Sequence, residues 1–238
     1  MESAQVVGEE QTAKAATGGW SLWWRWTGAC SFGEFLGIGA AAGIAAAGIA
    51  LVGEPTTLPA KIETLAAAVA SGVAEGLLVG FMQWWILRRR FRLVRAASWL
   101  RATALAAATG WFLGTLPSTF LVPPRHSMGA ADLPAGLTAA LIVAMGLGLG
   151  ALFGGAQYLV LHRYARRAGS WILANAIGWA IAIAWVFGGA SLPSEGAPAS
   201  TIVWIGLASG LLAGLSVGVI TGIFLVRIEP RAPGSEEW

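Results

Sequence analysis

Two acidic residues, Glu34 and Glu75, stand inside long apolar stretches of the sequence. A charged side chain at the centre of a bilayer costs roughly 2.5–3.5 kcal/mol on insertion scales, so an acid in such a stretch is a functional candidate by default. The residue type allows two interpretations: a site that binds a proton or cation, or a protonated carboxyl group hydrogen-bonded to a neighbouring helix. Glu34 lies nearer the end of its stretch and could face Glu75, face a vestibule or extend to the interface.

Uncharged polar residues recur at one depth, about a turn before the basic end of three apolar stretches. These are Gln83, Gln157 and Thr221, and Thr103 and Asn175 lie at a similar depth. We predict that the five form a ring of interhelical hydrogen bonds, each worth about 0.6 kcal/mol on average in membrane proteins. A ring that binds a substrate is the alternative.

Other patterns that suggest chemistry lack the structural surroundings that their chemistry requires. The run Gly214-Leu215-Ser216-Val217-Gly218 matches the nucleophile elbow of serine hydrolases, but that motif needs a strand-to-helix turn and a histidine base. Here it lies inside an unbroken apolar stretch. The one cysteine, Cys30, excludes an intrachain disulfide and a cysteine zinc site. We therefore predict no catalytic residue, no metal and no cofactor, and we expect that the chain is not an enzyme.

The composition identifies the class of protein that must position these residues. Of 238 residues, 56% are hydrophobic and only 11% are charged, whereas soluble domains carry about 25% charged residues. So little charge cannot cover the surface of a soluble domain, and so much hydrophobicity excludes disorder for most of the chain. The composition is typical of a multi-pass membrane protein.

Six stretches are long enough to cross the membrane, since a spanning helix needs about 20 mostly apolar residues. Because lipid cannot satisfy exposed backbone groups, all six must be helical. We therefore predict an all-α fold, an integral membrane bundle of six transmembrane helices. The predicted spans are Thr27–Val52, Leu65–Leu87, Trp99–Leu121, Gly136–Leu161, Trp171–Leu192 and Thr201–Val226.

The loops between these spans alternate in charge. Every Lys and Arg except Lys61 and Arg125 falls on the side that also holds both termini. The positive-inside rule places that side in the cytoplasm, and we predict an inner-membrane protein with both termini cytoplasmic. The organisation would be a cytoplasmic segment 1–26, a transmembrane domain 27–228 and a flexible cytoplasmic tail 229–238. The outer loops carry prolines, among them Pro117.

Tryptophan is abundant near the predicted cytoplasmic interface. Indole rings favour that zone, so anchoring in an interfacial belt is the default interpretation of these residues. The set comprises Trp20, Trp23, Trp24, Trp26, Trp84, Trp85, Trp99 and Trp171.

Three glycines at four-residue spacing recur in the second, fourth and sixth spans, each followed three residues later by Gln or Thr. Residues four apart share a helix face, and small residues there let helices pack closely in lipid. Ser98-Trp99 and Ser170-Trp171 open two of the odd spans, and Gly19-Trp20 is a weaker first copy. We predict three parallel two-helix repeats. The packing glycines are Gly72, Gly76, Gly80, Gly146, Gly150, Gly154, Gly210, Gly214 and Gly218.

The segments Gln83-Trp84-x2-Leu87-Arg88 and Gln157-Tyr158-x2-Leu161-His162-Arg163, followed by Trp99 and Trp171, resemble a pattern in uncharacterised bacterial multi-pass membrane proteins. The resemblance covers most of residues 65–190 and implies a bacterial source. Three parallel helix pairs are also similar in outline to the mitochondrial carriers. The proline–acid–basic signature of those carriers is absent from the odd helices here, so transport is not inferred from that likeness.

Two functions of different classes remain open on these observations. The first is a non-enzymatic accessory, packing or lipid- or pigment-binding subunit, indicated by glycine faces, abundant tryptophan and few polar groups. The alternative is a small channel or a proton- or cation-linked transporter that uses Glu75. The expected partners are membrane lipids, and other membrane subunits or further copies of the chain. Nucleic acid is not expected, because no basic soluble domain accompanies the arginine-rich loops.

Overall fold

The structure, a computed structural model, describes the backbone of residues 2–52, 55–121, 133–194 and 196–231, and the side chains of these ranges from residue 18 onward except 49–52. Arg125, His126 and residues 232–238 lie outside this description, as does the side chain of Lys14. Six helices account for nearly all of the described chain. They are α1 (Glu2–Val52), α2 (Leu58–Leu87), α3 (Ala96–Leu116), α4 (Ala135–Leu161), α5 (Ser170–Ala190) and α6 (Ala199–Arg227).

Each helix contains a segment that is long and apolar enough to cross a membrane. The all-α fold and the six predicted spans are thereby confirmed. The ends agree closely for α4, which begins at Ala135, and for α6, which ends at Arg227. The chain therefore has the architecture of a multi-pass membrane protein.

Pro117 does not lie in an outer loop, as the sequence suggested. The chain continues from α3 into a π-helical turn, Pro117–Leu121. In a π-helix the hydrogen bonds run to the fifth preceding residue, and the fixed φ of proline is compatible with a helical path although proline lacks an N–H group. The helical path of this span therefore extends to Leu121.

The two ends of the bundle differ in chemistry. We call the basic end the one that holds the α2–α3 and α4–α5 connections and the last residue of α6. The opposite end, with the α1–α2 and α5–α6 connections, is the proline end. Each helix packs against its neighbours in sequence, and α1 packs extensively against α6, so the six helices form a closed ring.

The nine predicted packing glycines all face the next odd-numbered helix, with α6 facing α1. A Cβ atom built on Gly76 would lie 2.5 Å from Cα of Ala104. The corresponding distances are 2.6 Å from Gly150 to Cα of Ala176 and 2.6 Å from Gly214 to Cα of Ser31. A methyl group cannot fit at these contacts, so glycine sets how closely the helix backbones approach. The organisation into three repeats stays a prediction.

Three tryptophans close the centre of the ring near the basic end. None of the three has exposed surface: Trp26, Trp99 and Trp171 are all 0% exposed. The ring of Trp171 packs between the other two, with centroid distances of 5.5 Å to Trp26 and 6.3 Å to Trp99. The interfacial-belt interpretation is therefore wrong for these three residues. Trp20, which the sequence suggested as the counterpart of Trp99, is 61% exposed, whereas Trp26 is buried and packs against Trp171.

The predicted division of the chain at 26 and 229 stays a prediction, since the structure describes only part of each terminal segment. Helix α1 runs without interruption through Trp26. Residues 228–231, which we call the strap, cross the basic end: the N–H of Arg166 donates to the carbonyl of Glu229 at 2.8 Å, and that of Arg231 donates to the carbonyl of Tyr164 at 2.9 Å. These described residues of the predicted tail are thus bonded to the α4–α5 connection.

Candidate functional site

The carboxyl groups of Glu34 and Glu75 face each other between α1 and α2, close enough to share a hydrogen bond. Glu34 is 2% exposed and Glu75 is 6% exposed. Glu75 stands twelve residues before Leu87, the last residue of α2, which is about 18 Å along the helix axis. The two acids that the sequence singled out separately therefore form one pair, deep within the apolar part of the bundle.

Glycine makes room for this pair. A Cβ atom on Gly37, one turn after Glu34, would lie 2.5 Å from Cγ of Glu75. A Cβ atom on Gly33 would lie 3.2 Å from Cα of Val79. Since both glycines face α2, they bring the backbone of α1 close enough for the two carboxyl groups to meet.

The third member of the site is Trp111 of α3. Its indole Nε1–H donates to Oε2 of Glu75 at 2.8 Å. The ring passes over Gly72, where a Cβ atom would lie 2.6 Å from Cδ1 of the indole. An indole N–H can only donate, so this oxygen of Glu75 is held as an acceptor.

The pair has no basic residue beside it along the helices that carry it. Arg25 stands nine residues before Glu34, about 14 Å along the axis, and Arg101 stands ten residues before Trp111. Two ionised carboxylates in contact repel each other, and a shared proton or a bound cation removes that repulsion. Oε2 of Glu34 is buried and has no hydrogen-bond partner among the described residues.

A hydrogen-bonded polar cluster lies between the carboxyl pair and the basic end. Nε1 of Trp171 donates to Oε1 of Gln157 at 2.9 Å. Nε2 of Gln157 donates to Oε1 of Gln83 at 2.9 Å and to Oγ1 of Thr103 at 3.1 Å. Nε2 of Gln83 lies 3.6 Å from Sγ of Cys30. The chain of bonds thus joins five helices and ends one turn before Glu34.

The structure brings three of the five predicted polar residues together, Gln83, Gln157 and Thr103, and leaves two apart. Oγ1 of Thr221 accepts from Nε1 of Trp26 at 2.8 Å. The side chain of Asn175 donates to the carbonyl of Trp171 in its own helix at 2.9 Å. A single ring of five side chains does not form, because two of them bond to tryptophan or backbone instead.

The strap is tied to the α2–α3 connection by Arg90. Nη2 of Arg90 donates to the carbonyl oxygen of Ile228 at 2.8 Å, and Nε donates to the same oxygen at 3.1 Å. Burial lowers the pKa of the Arg90 guanidinium, and the nearby Glu229 opposes that shift. Ile228 itself is buried against the tryptophan core. The strap and this core together cover the basic end of the ring.

Several residues of the site were not singled out from the sequence. Trp111 and Gly37 carry no motif, and only the packing of α1, α2 and α3 brings them to Glu75. The sequence does contain a signal for Trp26. A small or polar residue follows each buried tryptophan by four positions: Cys30 follows Trp26, Thr103 follows Trp99, and Asn175 follows Trp171. This shared spacing marks the buried tryptophans.

The chain was also compared with known proteins. No protein-family model, no curated protein and no solved structure matches it. The resemblance to bacterial multi-pass membrane proteins therefore stays a prediction.

Proposed function

We propose that this protein is a proton- or cation-linked membrane transporter in which Glu34 and Glu75 bind the ion. The observation that carries the proposal is the contact between two buried carboxyl groups with no basic residue near them along the helices that carry them. Acids within a spanning segment are costly and mark ion or proton pathways. Close packing of helices by small residues does not require two such groups in contact.

The covered basic end favours a transporter over an open channel. Trp26, Trp99 and Trp171 fill the centre of the ring without exposed surface, and the strap lies beneath them. An ion leaving the carboxyl pair toward this end must wait for that packing to open. We propose that the basic end faces the cytoplasm of a bacterium and that its opening alternates with access from the proline end.

The proposal is tested by reconstituting the purified protein in liposomes. A potassium diffusion potential drives the flux, and a pH-sensitive dye in the lumen reports it. We expect wild-type protein to conduct protons above the level of empty liposomes and Glu75→Gln and Glu34→Gln to abolish that flux. Glu63→Gln is the matched control, because Glu63 is an exposed acid on the same helix. Equal flux in wild type and Glu75→Gln would remove the pair from the mechanism.

A second candidate is the accessory, lipid- or pigment-binding role. A groove of about 270 Å³ opens between α5 and α6 near the proline end. Its lining is almost entirely apolar, as an acyl chain or flat pigment requires. The lining residues are Trp185, Gly188, Gly189, Leu192, Ile205, Ala208, Ser209 and Leu212.

Native mass spectrometry with an absorbance scan tests this second role on protein extracted gently from its membrane. A retained lipid, pigment or further subunit would favour it. Gly188→Leu should release a ligand held in the groove. The space around the Cβ position of Gly188 is open, so the leucine side chain can extend into the groove and occupy the volume of the ligand. Gly155→Leu is the control, since Gly155 is equally open but lies on α4. A bare chain in every preparation would count against this role.

A further inference from the structure

We propose that the ion held by the carboxyl pair is a proton taken up on Oε2 of Glu34, and that Trp111 is the positioning residue that holds Glu75 as its partner. This inference rests on the proposed transport function and names the ion.

The donor set does not suit a calcium or magnesium ion. Calcium takes six to eight oxygen ligands and magnesium requires a near-octahedral set. The pair offers four carboxyl oxygens, and one of them, Oε2 of Glu75, already accepts from Trp111. Around them lie glycine and apolar side chains such as Val79. In the described part of the chain, no group of three His, Cys, Asp or Glu side chains is arranged to hold a metal ion.

A proton needs far fewer oxygen ligands than these ions do. One proton shared between two carboxyl groups leaves the pair with a single negative charge. A second proton forms an O–H bond with a free carboxyl oxygen and makes the pair neutral, and its release restores the charge. Oε2 of Glu34 is the buried oxygen of the pair without a hydrogen-bond partner. It is therefore the atom on which the second proton is taken up and released.

Trp111 makes the two acids unequal. Its N–H donates to Oε2 of Glu75 at 2.8 Å and fixes the orientation of that carboxyl group, and the bond is stronger when the oxygen is ionised than when it carries a proton. In the part of the chain that the structure describes, no donor bonds to Oε2 of Glu34. The pair is thus built from a fixed acceptor and an exchanging acid, with Gly72 leaving space for the indole that fixes the acceptor.

Infrared spectroscopy of the purified protein in lipid bilayers tests the inference without any flux. We expect a carboxylic-acid C=O band whose intensity titrates with pH in wild type and is lost in Glu34→Gln. Trp111→Phe should shift the midpoint of that titration by about 0.7 pH unit, the equivalent of one ordinary hydrogen bond. Trp204→Phe is the control, since Trp204 is exposed, and its midpoint should equal that of wild type.

Sodium, potassium and calcium are then added at fixed pH. We expect none of them to change the carboxyl bands or the melting temperature. A response to one of these ions that is absent from Glu34→Gln would overturn the proton assignment and leave ion-linked transport standing. An unchanged midpoint in Trp111→Phe would overturn the positioning role. A titrating band in a protein without flux would instead contradict the transport function and leave the proton site intact.

Discussion

The indole of Trp26 donates to Oγ1 of Thr221 at 2.8 Å, and this bond joins the first helix of the ring to the last. Trp171 makes the corresponding bond from α5 to Gln157 of α4. The third central tryptophan, Trp99, has no partner for its indole N–H among the described residues. Two of the three tryptophans therefore fasten neighbouring helices, and the bond of Trp26 lies in the contact between α1 and α6 that closes the ring.

Thr221→Val should lower the stability of the bundle, because valine keeps the shape of threonine but removes the acceptor. A buried donor left without a partner costs about 1–3 kcal/mol. The measurement is the apparent melting temperature in detergent, followed by tryptophan fluorescence. Thr109→Val is the matched control, since Thr109 is exposed and bonds to its own helix. Equal melting temperatures for Thr221→Val and wild type would show that the ring closes without this bond.

The closest helix approaches depend on glycine, so the effect of adding a methyl group should depend on which way the glycine faces. A Cβ atom on Gly150 meets Cα of Ala176 at 2.6 Å, whereas Gly148, two residues away, has nothing within 4 Å. We expect Gly150→Ala to destabilise the bundle by about 1–3 kcal/mol, as overpacking does. Gly148→Ala should have no destabilising effect. A similar loss of stability in both variants would contradict the packing seen at Gly150.

The six spans could be predicted from the sequence because lipid demands about 20 apolar residues in helical form at each crossing. The contact between Glu34 and Glu75 could not be predicted from the sequence. It depends on the rotation of α1 and α2 about their axes, which a uniformly apolar helix does not reveal. Trp26 is a second example. Composition predicted that it lies in an interfacial belt, whereas its four-residue spacing to Cys30 indicated that it is buried.

The strap should control access to the interior from the basic end. Arg90 holds Ile228 through two hydrogen bonds to one carbonyl oxygen, and the single cysteine, Cys30, is buried within the tryptophan core. We expect Arg90→Ala to raise the rate at which a membrane-impermeant maleimide labels Cys30 about tenfold, which corresponds to loosening the strap by about 1.4 kcal/mol. Labelling is measured by intact-protein mass spectrometry.

Arg92→Ala is the control for this labelling, because Arg92 is exposed in the same connection. It removes the same charge without touching the strap. If the two variants label at the same rate, the loss of positive charge explains the change, and the strap does not limit access.

Gly37→Ala should damage the carboxyl pair with little effect on the fold. The added methyl group would lie 2.5 Å from Cγ of Glu75, so that side chain must turn away from Glu34 and from the indole of Trp111. We expect the proton flux in liposomes to fall to the level of Glu75→Gln, because the two acids no longer share a proton. Gly43→Ala is the control on the same helix, since its Cβ atom would lie an ordinary 3.8 Å from Cγ2 of Val203. Full flux in Gly37→Ala would mean that transport does not depend on the contact between the two acids, even if each acid is needed by itself.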